Sequence, residues 1–160
     1  MTYTIIGRCS RTGRLGVGIT TYSLAVGGYC PSIRGDLAAV SSRAFANPEL
    51  RDVAMRSPDD GHSPAEVLQL IERQDSDSGT VLVDIVDLDG TGIAWTGGGT
   101  RAWAGHVIGA GSVAMDDSLS ARAVVQAIAA EFVSDPAMEL TDRLLRALEA
   151  GRAAADQSNP

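Results

Sequence analysis

Met1–Thr21 reads MTYTIIGRCSRTGRLGVGITT, and its pattern is that of a β-hairpin. Thr2 to Cys9 is rich in β-branched and aromatic residues, Ser10 to Arg14 carries a turn glycine, and Leu15 to Thr21 alternates again. Chain ends normally fray, so a strand that starts at the second residue implies an end tied into a sheet. Removal of Met1 leaves the Thr2 hydroxyl beside a free α-amine, a pairing that makes an activated nucleophile. Gly16 and Gly18 fall on one face of the second strand. The missing side chains there let a packed layer, another backbone or a ligand come close.

Working outward, 160 residues bound a single domain with a real core, expected over residues 1–152 with 153–160 as a flexible tail. Apolar residues at 44% and charged residues at 21% are ordinary for a soluble globular chain. No apolar run approaches the roughly 20 residues of a membrane span. The N-terminus lacks the basic start and apolar core of a signal peptide, so a cytoplasmic protein is expected. A net charge of −7 and a pI near 4.7 argue against a nucleic-acid partner and against a polybasic membrane anchor. Cys9 and Cys30 have no metal-ligand spacing and form no C-x-x-C pair, so both read as buried thiols. His62 and His106 are too few and too scattered for a zinc site; neither a metal nor a cofactor is expected.

Further along, Tyr22–Pro31 reads as a loop or short crossover, and Leu37–Ser42 as a buried strand of small residues. Asn47-Pro48 reads as the cap and first position of a short helix over Glu49–Arg56. Ser63-Pro64-Ala65-Glu66 opens a second helix with a capping box. Thr80–Asp87 (TVLVDIVD) is the strongest strand, Asp89-Gly90 a hairpin signal, and Thr91–Thr96 the return. Arg101–Met115 carries one or two further strands. A helix capped by Ser118 or Ser120 runs to Val133 on a stripe of Val124, Val125, Ile128 and Phe132. The last helix, Met138–Arg152, carries Leu140, Leu144, Leu145 and Leu148. Strands, two helices, strands, two helices cannot build a simple parallel sheet. The fold class expected is α+β: two antiparallel sheets face to face with helix pairs outside, a four-layer αββα sandwich.

TYTIIGRCSRTGRLGVGITTYSLAVG, then AFANP, then WAGH resemble the markers of the domain-of-unknown-function family 1028. The resemblance runs from Thr2 to about Gly151. It implies an Ntn-hydrolase-like αββα fold in which an N-terminal Thr serves as nucleophile and base, in most cases on amide bonds. Family members usually carry a Gln near Ser42-Arg43-Ala44 and a Gly-Asn pair where this chain has Asp116-Asp117. Most also continue past the last helix with two more strands. Either those strands are absent here, or a homo-oligomer or second chain completes the sheet, or the protein was cut; without them one sheet would expose a long edge.

The catalytic candidates are Thr2 as nucleophile, His106 as acid or base near neutral pH, and Asn47 as an oxyanion donor. Asn47 also suits a plain helix cap, and His106 a structural role. Ser42, Arg43, Trp103 and Asp117 are the binding candidates beside them. No G-x-S-x-G elbow surrounds Ser23 or Ser42. Asp84, Asp87 and Asp89 with Gly90 have the wrong spacing for a calcium loop and read as strand plus turn. The expected activity is cleavage of a small-molecule amide or cyclic amide. The alternative is a non-catalytic binding or assembly module on the same fold.

Overall fold

The hairpin forms where its pattern puts it. Strand β1 spans Thr2–Arg8 and β2 spans Leu15–Thr21, paired antiparallel from Thr2↔Thr21 to Arg8↔Leu15. Gly13 makes the turn at φ +72°, a conformation that glycine adopts without steric cost. The computed structural model describes residues 2–43, 52–55, 60–74, 82–98, 104–116 and 121–157. Its remaining strands are β3 (Pro31–Arg34), β4 (Ala38–Arg43), β5 (Leu82–Asp87), β6 (Gly92–Thr96), β7 (Gly105–Gly109) and β8 (Ser112–Asp116). They form two four-stranded antiparallel sheets, ordered β2-β1-β8-β7 and β3-β4-β5-β6. Residues 52–55 are a helical turn, and three longer helices follow: α1 (Pro64–Gln74), α2 (Ala121–Ser134) and α3 (Leu140–Gln157).

Three apolar clusters show how the elements stack. Tyr3, Ile5 and Ala114 of the first sheet pack on Val124, Ile128, Phe132 and Ala147 of α2 and α3. Val40, Val83 and Ile85 of the second sheet pack on Ala54, Val67 and Ile71. Ile6, Ala39, Val86 and Val113 meet between the sheets. The order of layers is therefore helix, sheet, sheet, helix, as the chain order implies.

On β1, alternation sends Tyr3, Ile5 and Gly7 to the helices and Thr4 and Ile6 to the other sheet. The glycines on the helix side are packing devices. A Cβ on Gly16 would lie 2.7 Å from Leu144 Cδ1, and one on Gly18 would lie 3.1 Å from Leu148 Cδ1. The Tyr3 hydroxyl donates to the Leu148 carbonyl at 3.3 Å and ties β1 to α3. At the corner between α2 and α3, buried Arg143 donates from Nε and Nη2 to the Phe132 carbonyl at 3.0 and 2.8 Å. Its guanidinium also lies 4.1 Å from the centre of the Phe132 ring. The donors satisfy a helix-end carbonyl that has no partner within α2.

The capping box at α1 is present: Ser63 N–H donates to Glu66 Oε2 at 2.7 Å, and Glu66 N–H reaches Ser63 Oγ at 3.4 Å. Three sequence expectations need correction. The loop expected over Tyr22–Pro31 gives way at Pro31 to an edge strand, Pro31–Arg34, whose opening proline donates no ladder bond, which an edge tolerates. The last helix runs on to Gln157, because Ala153–Ala155 are strong helix formers and Ala155 is buried against the core. Leu145 is 55% exposed and leaves the stripe to Leu140, Leu144 and Leu148.

A Cβ at Gly7 would lie 2.1 Å from Phe132 Cζ. Gly7→Ala should therefore cost about 2–3 kcal/mol of stability in urea unfolding. Adding Phe132→Leu should recover part of that loss, because the smaller side chain vacates the space the new methyl needs.

Candidate active site at the Thr2 end of the sheet pair

The C-terminal end of β1 is marked by close contacts. Arg8 N–H donates to the Gly111 carbonyl at 2.8 Å, and Gly90 sits against Gly111 and Arg8. The β5–β6 and β7–β8 turns thus gather at the Arg8 end. The start of β1 shares the other end with the ends of β2 (Thr21), β4 (Arg43) and β6 (Thr96), and the starts of β5 (Leu82) and β7 (Gly105).

Between the sheets the lining changes along β1. The Arg8 half is apolar, with Ile6, Ala39, Val86 and Val113. One pleat towards Thr2, strand alternation puts Thr4, Ser41 and Asp84 on the same inner faces, each 0% exposed. Thr2 is half-buried at the rim of this polar zone, and its Oγ1 lies 3.0 Å from Thr21 Oγ1. Thr4 Oγ1 and Ser41 Oγ meet no hydrogen-bond partner among the described residues. Burying such a hydroxyl costs about 1–3 kcal/mol, so a fold keeps it where something other than packing requires it.

His106 shares the inner face of the first sheet, opposite Met115, which in turn lies opposite Thr4. Its Nδ1 lies 3.2 Å from Thr96 Oγ1, and the two residues bridge the edge strands β7 and β6. His106 is exposed on this edge strand, and desolvation from the protein side of the ring holds its pKa below the ordinary value of 6.5. Two strand spacings across and two residues along separate His106 from Thr2, roughly 12 Å between Cα atoms. The two side chains do not meet directly; a substrate or a chain of water would have to span them.

Ser42 is buried, but it shares its face of β4 with Val40, away from Thr2. Its neighbour Ser41 is the serine on the inner face. Arg43 holds the register position opposite Leu82 at the Thr2 end. Asn47, Trp103 and Asp117 lie outside the described residues. Asp116, where the resembled family carries the Gly of a Gly-Asn pair, ends β8 opposite Tyr3 and is buried. Asp84 was legible only as part of a strand; a carboxylate in the middle of TVLVDIVD was the signal for a polar inner face. Among the described residues no group of His, Cys, Asp and Glu forms a metal-ligating cluster, and no helix is long and apolar enough to cross a membrane.

Layers and site together define an α+β protein of two stacked antiparallel sheets, whose first strand is interior to one sheet and starts at a polar zone between them. The chain belongs to the family of unknown function DUF1028, which it matches over residues 2–160. It is similar to the solved structure of protein SPO2555 from Silicibacter pomeroyi, of the same family, with 27% identity and a TM-score of 0.90. That match covers 96% of this chain and 68% of the other. No curated protein matches it.

Thr4→Val keeps the shape and removes the hydroxyl, so it should raise stability by about 1 kcal/mol in urea titrations. His106 contributes through pH. Its folded pKa lies below the unfolded one, so the folded state binds the proton less well. Its stabilising share is complete above about pH 6.5 and is lost as pH falls through the lower folded value. Unfolding of the wild type should therefore weaken more steeply below about pH 6.5 than that of His106→Gln.

Proposed function

We propose that the chain is an N-terminal-nucleophile hydrolase that opens a small amide or cyclic amide at Thr2. One observation carries the reading: Thr2 begins an interior strand at the rim of a buried polar zone, with its hydroxyl beside that of Thr21. The Ntn-like assignment of the fold belongs to the same proposal.

Thr2 Oγ adds to the amide carbonyl carbon while its proton passes to the chain's own α-amine, directly or through a water. The tetrahedral adduct collapses as the C–N bond breaks, and the proton is delivered to the departing nitrogen. A cyclic amide keeps that nitrogen tethered in the resulting ester. Water then adds to the ester, the acid leaves, and the Thr2 hydroxyl is restored. Thr21 directs the Thr2 hydroxyl. Across the zone, His106 suits the far end of a bound substrate, given its separation from Thr2. The amine is available only when Met1 has been removed.

A second reading, a binding or assembly module on the same fold, draws on the pairing of His106 with Thr96 instead of Thr2. Assembly would use the seven-residue edge strand β2, where a second chain or copy can add.

An alkyl β-lactone reports on the nucleophile, because ring opening by Thr2 Oγ leaves the whole probe as an ester. Intact mass should show the protein short by one methionine residue and heavier by one probe. Thr2→Ala should show no adduct with an unchanged far-ultraviolet circular dichroism spectrum. Retained Met1, or labelling that survives Thr2→Ala, would leave the binding-module reading.

A further inference from the structure

Among the described residues the two outer layers are unequal. The first sheet is covered by α2 and α3, of 14 and 18 residues, whereas α1 on the second sheet has 11. Under α1 lies a cavity of about 200 Å³. Its floor is Ala38 of β4 and Ile85 of β5, and its walls are Val67 of α1 and Ala54 of the helical turn. Two alanines at these positions leave the space that larger side chains would fill. Leu37 and Leu88 extend the apolar lining.

Among the described residues the polar lining is His62, Asp87 and Asp89. Asp87 Oδ1 accepts the backbone N–H groups of Asp89 and Thr91 at 3.0 and 2.7 Å, which fixes the turn and the direction of its carboxylate. Among the described residues no arginine lines the cavity, and on the neighbouring turn Arg34 is engaged by Asp36 at 3.1 Å. An apolar chamber edged by two carboxylates suits a compact apolar body that carries a cation. As a measure of size, an apolar cavity of about 150 Å³ accepts benzene. A ring with one or two further atoms therefore fits here.

We propose that this cavity is a binding site for a small aromatic or branched-alkyl amine, with its ring between Ala38, Ala54 and Val67 and its ammonium towards Asp87 and Asp89. The site lies at the Arg8 end of the sandwich and on the outer face of the second sheet, so it is separate from Thr2, and its test does not depend on the hydrolase reading.

Benzylamine and its neutral counterpart benzyl alcohol are the probes, titrated into the full chain at pH 7 and followed by amide chemical shifts. Benzylamine should perturb residues 37–38, 67 and 85–89 with saturable binding. Benzyl alcohol should bind about fivefold more weakly, the size of one exposed ion pair, and Asp89→Asn should remove most of that preference. Ala54→Leu should abolish binding by filling the chamber. Should that variant unfold, Ala38→Val offers the same test from the floor. Absence of saturable shifts at these residues would overturn the proposal, as would equal binding of amine and alcohol, or undiminished binding in a folded cavity-filled variant.

Discussion

Two hydrogen-bonded ladders hold β1, one to β2 and one to β8, and both of its faces are covered. The rest of the structure depends on that arrangement. A strand interior to a sheet has no free edge, so freeing its first residues means breaking ladder bonds on both sides. An interior position this close to the start of a chain is therefore a constraint on the terminus itself. Thr2 pairs with Thr21, and Tyr3 is the first residue held from both sides. Terminal fraying, the usual fate of a second residue, is opposed by the most densely bonded strand of the first sheet.

The two faces of β1 do different things. The helix face needs close approach: Tyr3 and Ile5 fill space, and Gly7 makes room for the Phe132 ring. The inner face needs a gradient. Ile6 belongs to the dry cluster that glues the sheets, whereas Thr4 and Thr2 lead out through hydroxyl groups towards the rim. Dry packing supplies most of the stability of such a sandwich. Buried hydroxyls without partners among the described residues, Thr4 and Ser41 on the inner faces and Ser42 and Ser112 elsewhere in the sheets, give up some of it.

Much of this was legible because periodicity is a physical signal. The hairpin, the capping box of Ser63 and Glu66, and the stripe of Val124, Val125, Ile128 and Phe132 all follow from spacing alone. What escaped was register. Ala38 to Ser42 is buried on both faces, so the pattern of small residues cannot say whether Ser41 or Ser42 looks inward. β3 escaped because a four-residue strand that opens on a proline gives no alternation to read. The end of α3 escaped because an alanine run carries helix propensity without an apolar stripe.

β5 shows how the same alternation separates two kinds of site. Asp84 and Asp87 stand three residues apart on one strand. An odd spacing sends them to opposite faces: Asp84 into the polar zone between the sheets, Asp87 to the outer cavity beneath α1. Val83 and Ile85 on one side, and Leu82 and Val86 on the other, are apolar and buried, so neither carboxylate can reach the other's layer. A strand buried on both faces normally reads as continuous hydrophobic sequence. Two carboxylates placed out of phase in such a strand mean that each layer it borders has its own polar demand. A single shared pocket would instead have required them at an even spacing.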